Sequence, residues 1–306
     1  MRAPDFEELV GDPEVYFAEY ANKRPMLRSG SPIGDPQEIL SLAHLDKLIH
    51  SEAIRPPYIR VFSGGVAVPP ARYTRTIKIQ GIDVPDVVIP DRVYALFRDG
   101  ATVTWHSLNQ HVPHLRELAR ELSIRFGTRS DITAFLTPPR KQGFEPHHDP
   151  VDVFALQLEG TKRWRVWKPI RERRGDIGHY RLEDLGEPDL DVTLRPGDVL
   201  HIPFNTPHMA VSEDQISLHL SVMVQPLMWR DLMLRTVERL TQDDGFDPVH
   251  AEGESHVAGR LERLASRLLE VDVSAELAGR AAQGARADGS RDGRGFRSQN
   301  TEHLPT

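Results

Sequence analysis

Between Gly143 and Val224 the chain is cut into short apolar runs, each closed by a turn, and this punctuation limits what it can fold into. One run covers 153–158, Glu159-Gly160 forms a turn, and another run covers 162–167. Leu194-Arg195-Pro196-Gly197-Asp198 turns into an apolar stretch, Val199-Leu200-His201-Ile202-Pro203. From 216 to 224 the residues alternate. Ile216, Leu218, Leu220, Val222 and Val224 fall on one face of a strand, and Ser217, His219, Ser221 and Met223 on the other. Short strands joined by tight turns make an antiparallel meander. The expected fold is mainly β with flanking helices, built on a small jelly-roll barrel.

The flanking regions read differently. Residues 36–49 predict a short helix, and 58–62 and 76–79 predict strands joined by a loop with Gly64-Gly65 and Pro69-Pro70. Residues 111–126 predict a packing helix, with Val112, Leu115, Leu118, Leu122 and Ile124 mostly along one stripe. His106, His111 and His114 read as caps and surface histidines, since no carboxylate shares their spacing. After Pro226, helical patterns over 227–240 and 257–269 flank the acidic turn Asp243-Asp244-Gly245, and 281–306 has the Gly, Arg, Asp and Ser bias of a disordered tail. The expected layout is a main domain over 1–226, a helical module over 227–280 and the tail. Cysteine is absent, so disulfides give no clue to compartment. Neither a signal-peptide core nor a bilayer-length apolar run is present, which sets a cytoplasmic expectation with no membrane partner. A net charge of −7 disfavours direct nucleic-acid binding and suits a basic protein or peptide partner.

Chemistry concentrates in Pro146-His147-His148-Asp149 and, 59 residues after the Asp, His208. In an extended strand His147 and Asp149 share a face while His148 points away. Two imidazoles and one carboxylate leave open positions on a metal, the arrangement that suits Fe(II) with O₂ and a chelating co-substrate. A hydrolytic zinc site can use the same donors, so these residues alone leave the metal open.

With its surroundings, this constellation resembles the JmjC-type, cupin-like 2-oxoglutarate oxygenases, and among them the ribosomal oxygenases that hydroxylate proteins. The resemblance spans roughly 6–225. It rests on the opening Asp12 to Pro25, on Leu136-Thr137-Pro138-Pro139 with Gln142-Gly143-Phe144, on Gln157-Leu158-Glu159-Gly160-x-Lys162-x-Trp164, and on Pro196-Gly197-Asp198 through Pro207-His208 to Ser217-Leu218-His219-Leu220. It implies a double-stranded β-helix with Fe(II) held by His147, Asp149 and His208. It also implies that Lys162, fifteen residues after His147, pins the distal carboxylate of 2-oxoglutarate. Thr133 and Phe135 stand where many relatives carry an Asn and a Tyr. The co-substrate lining is therefore expected from the Thr133 hydroxyl together with His219 and Ser221. His201 is expected to be structural, and Trp164 and Trp167 to form core and rim.

The resemblance further implies oxidative decarboxylation of 2-oxoglutarate coupled to hydroxylation of a protein side chain, of the ribosomal-protein His or Arg type. It also implies a homodimer, since the region after the barrel often begins a dimerisation bundle in ribosomal oxygenases. Three alternatives stay open: the same chemistry on a ribosomally made natural-product precursor peptide, a catalytically silent cupin-like binding module, and a zinc hydrolase. Lysine demethylation would need a methylammonium pocket that the sequence does not display.

Overall fold

The computed structural model describes residues 2–170, 176–242 and 254–272. Two compact units partition the chain, one of residues 1–122 with 129–225 and the other of 123–128 with 226 onward. Among its described residues the first unit holds fifteen strands. They are β1 Met26–Arg28, β2 Ile59–Ser63, β3 Val66–Ala67, β4 Thr74–Ile79, β5 Ile82–Val88, β6 Thr102–Trp105, β7 Ser130–Thr137 and β8 His147–His148. The series continues with β9 Asp152–Glu159, β10 Lys162–Val166, β11 Gly178–His179, β12 Leu190–Leu194, β13 Val199–Ile202, β14 His208–Ser212 and β15 Ser217–Val224.

The strands form a large sheet ordered β1-β13-β9-β15-β7-β6-β2-β3, a five-stranded sheet ordered β11-β8-β14-β10-β12, and the separate pair β4-β5. The paired strands run antiparallel, as the turn spacing predicts. The two main sheets share a core. Val153 and Ala155 of β9 with Leu200 and Ile202 of β13 pack against Trp164 and Val166 of β10 and Leu194 of β12.

Register assigns the alternating strand its faces. β15 pairs with β7 so that Ser217, His219 and Ser221 stand opposite Thr137, Phe135 and Thr133. On its other side Ser221 and Met223 stand opposite the core residues Ala155 and Val153. Directly opposite residues share a face, so the polar row of β15 looks into the space between the sheets. Leu218, Leu220, Val222 and Val224 look outward, and all four are fully buried. Cover on that outer side includes Tyr16, which lies in a π turn, Tyr16–Tyr20, that follows the short helix Pro13–Val15. Its ring sits 6.0 Å from Phe154, and its hydroxyl lies 3.1 Å from His201 Nε2. His201, expected to be structural, thus anchors the N-terminal segment.

Gly160 closes the hairpin between β9 and β10. Its φ of +63° is left-handed, and a Cβ there would collide with the Ile216 carbonyl.

Several element boundaries differ from expectation, and two have a visible local cause. The helix foreseen over 36–49 is two helices, Pro36–Ile39 and Leu42–His50, separated by extended Leu40. Ser41 starts the second one: its backbone N–H and hydroxyl both meet His44 Nδ1, a side chain that competes with helix continuation. The helix expected from His111 starts at Pro113, after a 3₁₀ turn over Leu108–Gln110. Of the three nearby histidines, His106 bonds Thr104, His111 packs on Tyr58, and His114 bonds the Ile39 carbonyl.

In the second unit, helices Trp229–Leu240 and Glu254–Leu269 are tied by Arg267, which donates to the Leu240 carbonyl at 2.9 Å. The expected tail over 281–306 lies outside the described residues.

Candidate metal centre

β8 and β14 place His147 and His208 directly opposite one another, with ring centroids 4.5 Å apart. Asp149 follows just beyond β8, its Oδ2 3.8 Å from His147 Nε2 and 3.6 Å from His208 Nε2. The three candidate donor atoms lie within 4.8 Å of one another. Both imidazoles are oriented from behind. His147 Nδ1 lies 2.7 Å from the Glu145 carbonyl and His208 Nδ1 2.9 Å from the Thr206 carbonyl. A carbonyl only accepts, so each Nδ1 carries the proton and each Nε2 offers a lone pair toward Asp149. Burial, with repulsion from His147, pushes His208 down to about 4, which keeps it neutral and ready to ligate at neutral pH. His148 points the other way, as strand geometry requires. It is fully buried, with Nδ1 2.5 Å from the Tyr180 hydroxyl and Nε2 3.0 Å from the Asp176 carbonyl.

The co-substrate candidates face the space between the two sheets, Thr133, His219 and Ser221 from the large sheet and Lys162 from the five-stranded one. Lys162, on β10, is 4 % exposed and donates to Thr137 Oγ1 at 3.1 Å. It forms no ion pair with a described carboxylate, and burial lowers its ammonium to about 7. His219 stacks face to face on Phe135, with centroids 4.9 Å apart and planes 7° apart, and burial lowers it well below the usual histidine range. Thr133 and Ser221, paired across β7 and β15, are both buried. The polar groups here are short of partners: Thr133 Oγ1, His219 Nδ1 and Trp164 Nε1 are buried without a hydrogen bond among the described residues. Unpaired buried polar atoms are rare in folded proteins and often mark a ligand site. A dicarboxylate set on Lys162 and Thr137 would also supply acceptors for these groups, so the donor set fits 2-oxoglutarate.

Thr137 was missed by sequence reading, although the step of two from Thr133 through Phe135 places it on the same face. Trp164, read as core, does belong to the shared core, and it also lines the site, 6.0 Å from the His208 ring and 5.4 Å from that of His219. Asn205 was missed as well. It takes a left-handed φ of 56° and donates its backbone N–H to the Asp149 carbonyl at 3.1 Å, fixing the segment that carries the acid.

Alongside the two packed sheets and the His, Asp, His cluster, residues 108–232 match the family model of the JmjC domain. The chain's relatives include the bifunctional lysine-specific demethylase and histidyl-hydroxylase NO66 of Drosophila persimilis, 36 % identical over 136 residues, which are 44 % of this chain and 20 % of that protein. Ribosomal oxygenase 1 of Rattus norvegicus is 33 % identical over 159 residues, 50 % of this chain and 26 % of its own length. The alignments thus span about a quarter or less of these two relatives. The fold is that of the Escherichia coli ribosomal oxygenase YcfD, with a TM-score of 0.53 at 18 % identity, over 90 % of this chain and 70 % of that one. YcfD has also been crystallised with cobalt and 2-oxoglutarate, and that structure matches with a TM-score of 0.51 at 16 % identity, over 93 % and 72 % of the two chains.

Proposed function

We propose that this protein is an Fe(II)- and 2-oxoglutarate-dependent oxygenase that hydroxylates a side chain of a protein or peptide, with His or Arg of a ribosomal protein as the type of target. One observation carries the reading: a metal-suited triad stands beside a buried lysine that faces no described carboxylate. A buried ammonium without a counter-charge is costly, and an anionic co-substrate removes that cost.

In this reading His147, Asp149 and His208 hold the iron, and Lys162 with Thr137 holds the distal carboxylate of 2-oxoglutarate. The bound iron and 2-oxoglutarate supply the oxidation: with O₂ and a C–H bond they yield succinate, CO₂ and a C–OH group. The protein's own work is positional. The Glu145 and Thr206 carbonyls set the tautomers of the two histidines, Asn205 fixes the backbone at Asp149, and Phe135 and Trp164 hold His219 between them. Thr133, Ser221 and His219 line the co-substrate, and the enclosing aromatic rings exclude water.

The net charge of −7 suits a basic protein partner rather than nucleic acid. Among the described residues no helix is long and apolar enough to cross a membrane. A cytoplasmic location and a homodimer belong to the same reading. The dimer draws support from Trp229, Met233 and Leu234, which are exposed on one helix.

Anaerobic addition of Fe(II) and 2-oxoglutarate should give a weak metal-to-ligand charge-transfer band that Asp149→Ala abolishes. Mass spectrometry of ribosomal proteins from cells with and without the gene should then find a one-oxygen mass gain lost in a His208→Ala strain. Absence of the band and of succinate formation with any peptide pool refutes the oxygenase. A gain on a short precursor peptide instead would change the substrate and keep the chemistry.

A further inference from the structure

β11 is the edge strand of the five-stranded sheet, and its His179 lies directly opposite His147, which lies directly opposite His208. Such residues project from one face. His179, His147 and His208 therefore form a row across the sheet, on the face that bears the candidate metal ligands. Exposure climbs along the row. The side chain of His208 is 7 % exposed, those of His147 and Asp149 are 17 % and 27 %, and His179 is exposed. The centre is thus closed on the side of Lys162 and Trp164 and open toward β11.

The strand carrying His179 is firmly held, while the His179 imidazole makes no hydrogen bond among the described residues. Gly178 is buried against His148, where a Cβ would collide with the imidazole. Both His148 nitrogens bond the same segment, through the Tyr180 hydroxyl and the Asp176 carbonyl, and the Tyr180 N–H donates to the Pro146 carbonyl at 2.9 Å. The His179 side chain has no hydrogen bond or ion pair among the described residues, and its ring centroid lies 6.4 Å from that of His147. Phe144 flanks the same His147 ring at 6.0 Å.

We infer that His179 is a substrate-contacting residue at the open lip of the centre, which orients the target side chain there with Phe144 as a second aromatic wall. The inference rests on the oxygenase reading above. An imidazole offers a flat π face and, at its edge, one donor and one acceptor. Planar nitrogen-bearing side chains, guanidinium or imidazole, match that surface, and an aliphatic chain leaves its polar edge unused.

The test uses the full chain loaded with Co(II) and 2-oxoglutarate without O₂, and the blocked tripeptides acetyl-Gly-Xaa-Gly-amide with Xaa as Arg, His or Leu. Paramagnetic broadening of the Xaa protons reads their proximity to the metal. The Arg or His peptide should broaden strongly in the wild type and the Leu peptide little. His179→Ala should reduce the effect by about five- to tenfold, the size expected for loss of one stacking or hydrogen-bonding contact. His179→Phe should keep most of it, and the Co(II) absorption should be the same in all three proteins. Equal broadening in wild type and His179→Ala overturns the inference, as does broadening of the Leu peptide to the level of the others, or none for any peptide. Failure of the oxygenase reading looks different: wild type itself would give no Co(II) spectrum that responds to 2-oxoglutarate.

Discussion

Replacing Lys162 with Met should make the metal-free protein more stable and unable to bind 2-oxoglutarate. The lysine is 4 % exposed, and its ammonium is lowered from 10.5 to about 7 by burial. In the unfolded chain it titrates near its ordinary value, so between pH 7 and 10.5 the unfolded state binds more protons than the folded one, and wild-type stability rises with pH across that window. Below pH 7 both states carry the proton and the full penalty applies, roughly 5 kcal/mol at about 1.4 kcal/mol per pH unit. Losing the bond to Thr137 costs about 1 kcal/mol. The net gain for Lys162→Met is then about 3–4 kcal/mol at pH 6, shrinking to near zero at pH 9.5, where the remaining penalty is about 1 kcal/mol. Urea unfolding of both proteins at the two pH values measures this. In the same experiment, 2-oxoglutarate with Mn(II) should stabilise wild type and leave the variant at its value with Mn(II) alone. A stability difference independent of pH refutes the desolvated-ammonium argument, and unchanged 2-oxoglutarate affinity refutes the anchoring role.

His208→Ala should weaken Co(II) binding by at least about 100-fold, more than is typical of losing a residue that merely supports a ligand, as read by calorimetry. Gly160→Ala should destabilise by about 3 kcal/mol or more, because the left-handed backbone and the Ile216 carbonyl both oppose a side chain, and thermal melts would show it. Tyr16→Phe strips a hydrogen bond from His201, whose Nδ1 already has none among the described residues, and should cost about 1–3 kcal/mol in denaturant unfolding with the Co(II) spectrum unchanged.

Much of this architecture is legible in the chain because its strands obey a period of two. That period gave β15 its two faces and sent His148 away from His147 and Asp149. It cannot say which face looks inward, and here the polar one does, since the space between the sheets is a site as well as a core. Lys162 was singled out by the family resemblance, but its bond to Thr137 depends on the distance between two sheets, which one strand does not encode. His179 was invisible for a similar reason: β11 has two residues, too few to show a period, and its partner lies 32 positions away. The break at Leu40 escaped because a hydrophobic stripe can run on across a helix start set by a single side chain.

The inward turn of the polar residues has a consequence for where this protein can be cut. Phe154, Leu156, Leu220 and Val222 form an oily exterior that depends on upstream sequence for cover, Tyr16 included. β1 pairs with β13 and β6 pairs with β7, so two further upstream segments cap what would otherwise be open strand edges. A fragment limited to the JmjC match, 108–232, would retain all three candidate metal ligands and Lys162, yet expose greasy surface and two unpaired edges, a combination that drives sheets to aggregate. The N-terminal hundred residues thus shield the sheet edges and apolar surface of a barrel whose candidate site residues all lie downstream of them.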